Sequence, residues 1–535
     1  MRSAFWTDLY HELMRLSWPR LGVLFAFCFL AFNLTYAPPA RADAPSLPAV
    51  TLQHQVDTAL AAAPKGTRFG LLVVDAAGTV IVAVGPDQRF IPASNTKLFT
   101  TAAAYALLPG MDQSDAAGGT QVALVPLAGA ARFARTGSGA LPGLGPADKV
   151  PAGPADVWLS GRGDARMSSA ADCTADCLAA LADAVAAKTN RVHDVVGDDS
   201  FWPDQRWPPG MSWNNIGTDD GTAASALNLN DNQLVVTVTP GAERQPPAVV
   251  VSAYFTLRND ARTVAPGNPT SLMIERSVNG LELRLSGSIP ADAGPWTERI
   301  GIDDPAHFAG WTFRNMLAAR GVKVTGKVRV NHRAKQLDDL PHDQGPLGNL
   351  VQLSFKPLAT LTPPQHSADV VVINKFSQNL HAQVLFRRVG DSYGTGSEEW
   401  SVAAFNTLFA KAGIPREGYD FSDGSGMSTY NRVSPRAVVA LLRWAAAQPW
   451  GGAWLASLPI AGVDGTLKRR FVGTPLAGNL AAKTGSLNAT TAISGTFRAA
   501  SGRQLTFAFL ANDVPNGQSA VAVMDAVLLL VAANN

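Results

Sequence analysis

Downstream of position 48, apolar and polar residues follow two periods. Positions 49–63 carry apolar residues at helical spacing, and 69–75 and 79–84 are short apolar runs around Ala76-Ala77-Gly78, which predicts a helix and then a β-hairpin. Ser94-Asn95-Thr96-Lys97 leads into 98–108, an Ala-rich stretch with no breaker, so Ser94 is expected where the chain enters a helix. Helical pattern returns over 369–389, 399–413 and 434–448. The chain closes with a hairpin, 491–499 and 504–512 about Ser501-Gly502, and an apolar helix over 518–533. Strands at both ends flanking helices predict one α/β (α+β) domain, an antiparallel sheet flanked by helices.

Between 109 and 364 the texture changes to Gly, Pro, Ala and short β-branched runs such as 234–238 and 322–324, which predicts a long β-rich insertion. The expected division is 43–110 and 365–535 for the two parts of the catalytic domain, with 111–364 as two nested inserted units.

At the N-terminus, positions 21–37 form an apolar run preceded by Arg15 and Arg20 and followed by Pro38, Pro39 and Ala40-Arg41-Ala42. This is the order of a secretory signal cleaved after Ala42, with Met14 as the tidier start, and it directs the protein to the periplasm. The apolar stretch 521–533 is shorter than the roughly 20 residues a membrane span needs, so a core helix is expected there and no span after cleavage. Formal net charge is +2, from 44 basic and 42 acidic residues, which gives no argument for nucleic acid. Cys173 and Cys177 are the only cysteines beyond the signal; they can form a disulfide if their segment is not helical. The eight histidines are scattered without a ligand pattern, so neither a metal nor another cofactor is implied.

The chemistry is carried by three short motifs in order: Ser94-Asn95-Thr96-Lys97, Ser377-Gln378-Asn379 and Lys483-Thr484-Gly485. Residues three apart on a helix share a face, so the Lys97 amine can reach the Ser94 hydroxyl. A lysine accepts a serine proton if desolvation and a neighbouring cation, here Lys483, populate its neutral form. Ser377 can relay a proton toward the leaving group, and Asn379 can hydrogen-bond a substrate amide. Lys483 and Thr484 offer a cation and a hydroxyl to a substrate carboxylate, and Gly485 permits close backbone approach.

In these motifs, their order and the 283-position separation of Ser94 and Ser377, the chain resembles the S13 family of D-alanyl-D-alanine carboxypeptidases and endopeptidases, the low-molecular-mass class C penicillin-binding proteins. Further matches are Gly197-Asp198-Asp199-Ser200, Asp423-Gly424-Ser425-Gly426-Met427-Ser428 and Asp464-Gly465-Thr466-Leu467. The resemblance implies a serine β-lactamase/transpeptidase-like fold, peptidoglycan stem peptides as substrate and β-lactams as acylating inhibitors. It implies an oxyanion hole from the backbone amides of Ser94 and Ser486. It makes Asp198, or Asp199 beside it, the ligand for a side-chain ammonium and gives Asn488 a hydrogen bond to the stem. Thr429 stands where relatives that bind a diaminopimelate carboxylate have Arg.

Three rival readings remain. Gly390-Asp391-Ser392-Tyr393-Gly394 satisfies the nucleophile-elbow pattern GxSxG, but it follows a helical rather than a strand pattern and reads as a glycine-rich turn. The chain could be a serine β-lactamase, against which the long insertion argues. A non-catalytic cell-wall binder would have no need for a nucleophile and a proton acceptor together.

Overall fold

The computed structural model describes residues 51–127, 155–342 and 355–535; the expected signal, with Met14 and Ala42, lies outside the described residues. The two ends of the described chain build one five-stranded antiparallel sheet. Its order is Ala481–Leu487, Thr490–Arg498, Gln504–Asn512, Arg68–Asp75, Val80–Val84. Arg68–Asp75 pairs along its whole length with Gln504–Asn512, Leu71 lying opposite Phe509. Gln504–Asn512 is buried almost throughout, as a central strand covered on both faces must be.

On one face, Leu72, Val74, Ala508 and Leu510 share a core with helices Thr96–Leu107, Asn379–Asp391, Glu398–Lys411 and Pro435–Ala446. Ser434 caps the last of these: its side chain accepts the Ala437 N–H, and Pro435 occupies the first turn, where no amide donor is needed. Phe99, from the helix that also carries Lys97, packs edge-on to Phe409 and at a tilt to Phe421, at 5.3 and 4.9 Å between centroids. The closing helix, Val521–Ala533, buries Met524, Val527, Leu528 and Val531, and no described helix is long and apolar enough to cross a membrane.

Between the two halves of this sheet in sequence lies a second five-stranded sheet, ordered Val328–Arg333, Val195–Pro203, Ala155–Ser160, Gln121–Pro126, Ala359–Thr360. Two smaller sheets are built from strands between residues 233 and 301. This stretch is less purely β than its composition suggests. Leu178–Ala186 and the 15-residue Pro305–Ala319 are helices, the second capped by Asp304 and burying Phe308, Phe313 and Leu317. Gly310 and Trp311 blur that apolar stripe in the sequence. Cys173 and Cys177 are joined in a disulfide, in a non-helical turn before Leu178–Ala186.

The helix expected over 369–389 is two helices, His366–Phe376 and Asn379–Asp391. Ser377 takes a left-handed conformation (φ +63°) that ends the first, and Gln378 caps the second by accepting the His381 N–H. Truncating the aromatic cluster that seats the Lys97 helix tests the packing account. Phe99→Ala is expected to cost about 3–5 kcal/mol in urea unfolding, the usual range for a buried Phe.

Candidate active site

Ser94 lies in a 3-10 turn, Ala93–Asn95, that runs directly into helix Thr96–Leu107. The turn is strained, with Ala93 left-handed at φ +48°, and is therefore held from several sides. Asn512, on a central strand, accepts from the Ile91 N–H at 2.7 Å and donates to the Ile91 carbonyl at 3.1 Å. Asn95 donates to the Lys483 carbonyl at 3.0 Å. Two glycines close on the turn: a Cβ on Gly426 would lie 2.0 Å from the Ala93 oxygen, and one on Gly485 would lie 2.9 Å from the Ser94 nitrogen. Gly485 is thus required by contact with the serine turn itself.

One helical turn beyond Ser94, Lys97 is wholly buried. Its Nζ has three oxygen partners: Ser94 Oγ at 2.8 Å, Asn379 Oδ1 at 2.6 Å and the Ser425 carbonyl at 2.6 Å. Burial pulls its pKa down to about 7, against the opposing pull of the Asp423 and Asp220 carboxylates. Burial is the main cause, where the sequence had suggested a share for the charge of Lys483. Two of the three partners are pure acceptors. A neutral amine therefore spends both N–H groups on Asn379 and Ser425, and its lone pair faces the one partner that can donate, the Ser94 hydroxyl.

Lys483 is also wholly buried, and its pKa is pushed well below the ordinary lysine value by burial and then by repulsion from Lys97. Its Nζ donates to Ser377 Oγ at 2.9 Å and to the Thr484 carbonyl at 2.9 Å. The break between the two helices puts Ser377 and Asn379 on the same side of the site, which one continuous helix could not do with residues two apart.

Ser94, Ser377, Asn379, Thr429, Thr484, Gly485, Ser486 and Asn488 line one cleft of about 770 Å³, with Lys97 and Lys483 buried beneath it. Thr429 donates its hydroxyl to the Gly210 carbonyl at 2.8 Å. Asp198 does not line the cleft. It is buried on strand Val195–Pro203, and its carboxylate accepts from Ser160, Ser200 and Asn331 at 2.7–2.8 Å. Ser392 ends a helix with its hydroxyl on the Val389 carbonyl, and the glycines around it pack on Ser401 and Trp400, so no elbow forms.

Sequence reasoning missed three contributors. Asp220, from the stretch between strands Val195–Pro203 and Gln233–Thr239, accepts from Asn379 Nδ2 through its carbonyl at 3.0 Å and its carboxylate at 3.1 Å, which fixes the amide so that Oδ1 meets Lys97. Asp423 accepts the backbone N–H groups of Gly426, Met427 and Ser428 and holds the turn that presents the Ser425 carbonyl. Thr466 hydrogen-bonds Thr484 Oγ1 at 2.7 Å. Asp423 and Thr466 stood inside recognisable motifs; nothing near Asp220 marked it.

Residues 52–122 and 147–533 match the model of the D-Ala-D-Ala carboxypeptidase 3 (S13) family. The chain is 32% identical over 532 residues to a D-alanyl-D-alanine carboxypeptidase of Actinomadura sp. (strain R39), covering 96% of this chain and 90% of that one. Among solved structures, penicillin binding protein 4 of Haemophilus influenzae superposes with a TM-score of 0.70 at 20% identity, over 90% of this chain and 98% of that one. The same protein complexed with a β-lactam gives a TM-score of 0.66 at 19% identity, over 88% and 97%. These two likenesses show the shared fold.

The Gly485 contact is open to test. Gly485→Ala is expected to keep the far-ultraviolet circular dichroism of the parent but to lower kcat/KM for D-alanine release roughly 100-fold by displacing the serine turn.

Proposed function

Since the chain belongs to the S13 family and is a D-Ala-D-Ala carboxypeptidase, we propose that Ser94 is its acylated nucleophile and Lys97 the base that takes the Ser94 proton. The observation that carries this reading is the buried Lys97 amine, 2.8 Å from Ser94 Oγ with its other two partners restricted to accepting. Ser94 Oγ attacks the carbonyl of the penultimate D-alanine as its proton passes to Lys97 Nζ. The backbone amides of Ser94 and Ser486 receive the oxyanion.

Collapse of the tetrahedral adduct breaks the peptide bond. The departing amine takes a proton from Lys97, relayed through Ser377, and an ester to Ser94 remains. Water, deprotonated by the again neutral Lys97, hydrolyses that ester. Asn379 aligns the substrate amide, and Thr484 with Lys483 receives its terminal carboxylate. That carboxylate brings in the negative charge that a buried Lys483 lacks and favours its ammonium form. Thr429 and Asn488 face the stem peptide from the cleft wall, and Asp198 has no part in the site.

The same cleft accepts an endopeptidase substrate, since only the leaving amine differs, and β-lactams, whose carboxylate and strained amide match the same groups. The apolar N-terminal segment exports the enzyme to the periplasm. The inserted units at 111–364 supply one wall of the cleft through Asp220 and Thr218.

Intact mass after benzylpenicillin, with penicilloate followed in the same tube, tests the reading. A persistent adduct is expected, absent in Ser94→Ala and kept in Ser392→Ala. Rapid penicilloate release without an adduct would make the chain a β-lactamase, and no adduct in the parent would contradict the assignment of Ser94. The pH dependence follows from Lys97. Only the neutral amine accepts a proton, and a pKa lowered to about 7 keeps that form available at neutral pH. The acylation rate is therefore expected to be level above pH 7 and to fall about tenfold per unit below it, in stopped-flow acylation.

A further inference from the structure

A second groove, of about 690 Å³, opens beside the catalytic cleft and shares Thr218 and Glu298 with it. A single stretch of the inserted region separates the two. Ser212, Asn215, Asp219 and Asp220 line the cleft, while Trp213, Asn214, Ile216 and Gly217 line the groove. The stretch is tied down by its own turns, Asn215 N–H to the Ser212 carbonyl at 3.0 Å and Thr218 N–H to the Asn215 carbonyl at 3.0 Å, and by the Asp220 contacts to Asn379. It nevertheless holds Trp213 79% exposed.

Three exposed large apolar side chains meet in this groove: Trp213, the most exposed of its kind among the described residues, Met273 at 54% and Val278 at 48%. Clustered exposed apolar surface continuous with a catalytic cleft marks a binding surface rather than chance exposure. A second indole, Trp296, also lines the groove with Glu298 and Arg299, and Asn214 and Ser277 add an amide and a hydroxyl.

We propose that this groove binds the amino-sugar glycan chain from which the stem peptide hangs, with the Trp213 indole as the platform for a sugar ring. The inference rests on the peptidase reading of the Ser94 cleft. Pyranose rings present apolar C–H faces rimmed by hydroxyl and acetamido groups, and a flat ring with a polar rim of amide, hydroxyl and carboxylate is the complementary surface. The wall charges are of both signs, Glu275 and Glu298 against Arg276 and Arg299, which suits an uncharged polymer better than a polyanion or a basic segment. The other occupant the geometry admits is an extended peptide, because Ser271–Glu275 and Trp296–Gly301, which bound the groove, each lie at the end of their sheet's strand order.

The test compares the full enzyme, Trp213→Ala and Trp213→Phe in two assays: binding of peptide-free glycan strands, supplied as uncharged N-acetylglucosamine oligomers without lactyl carboxylates, by fluorescence titration with a labelled oligomer, and D-alanine release from intact peptidoglycan and from a soluble pentapeptide. Trp213 is solvent-exposed, so neither variant disturbs the core. Trp213→Ala is expected to weaken strand binding and to lower kcat/KM on peptidoglycan by roughly tenfold, the loss of one aromatic anchor, with Trp213→Phe intermediate and the soluble peptide unaffected. Failure of the parent enzyme to bind peptide-free strands would overturn the proposal. So would an equal loss on both substrates, or displacement of bound strands by an unrelated extended peptide in stoichiometric amount. A parent enzyme that binds strands but releases no D-alanine from the soluble peptide would overturn the peptidase reading of Ser94 and leave the glycan site standing.

Discussion

Two wholly buried lysine amines, Lys97 and Lys483, close enough to repel each other and hydrogen-bonded only to neutral oxygens, are the constraint on which the rest of the site depends. A buried ammonium without a counter-charge is costly, and the structure relieves that cost by lowering both pKa values instead of supplying partners. That choice makes Lys97 able to accept a proton near neutral pH. It also demands that every oxygen around its Nζ be fixed, because a misplaced acceptor would let the lone pair turn away from Ser94. Asp423 fixes the Ser425 carbonyl, Asp220 fixes the Asn379 amide, and the left-handed Ser377 sets the direction from which Asn379 arrives.

The chain between the two halves of the first sheet is consequently part of the geometry of the proposed site rather than an appendage. Thr429, beside the Asp423 turn, donates both its backbone N–H and its hydroxyl to the Gly210 carbonyl, and Met211 bridges to Ser428. A few residues on, Asp220 reaches Asn379. One stretch of chain therefore couples the position of the inserted sheets to the amide that orients Lys97. It also carries Trp213 on its other side, so a polymer seated against that indole would sit in fixed register with the serine.

Much of this was legible in the sequence where local pattern and local chemistry coincide. The Ser94 and Lys97 pair declared itself through helical spacing, and the closing hairpin through alternation about Ser501-Gly502. What stayed hidden depends on contacts distant in sequence or on single backbone angles. No propensity marks Ser377 for a left-handed turn, so two helices read as one. The motif containing Asp198 was visible, but not that Ser160, Ser200 and Asn331 consume its carboxylate. Gly485 was singled out for the right property, the absence of a side chain, but its contact is with the serine turn 391 positions earlier, which only the fold reveals.

The most direct test of the central claim is a titration of the Lys97 side chain in the free enzyme. Selective carbon-13 labelling of lysine ε-carbons, with the Lys97 signal assigned by its loss in Lys97→Arg, gives the pKa by nuclear magnetic resonance. An inflection near pH 7 is expected for that signal. A signal that stays in the ammonium position until above pH 10 would contradict it, because no proton-accepting amine would then stand beside Ser94 at neutral pH.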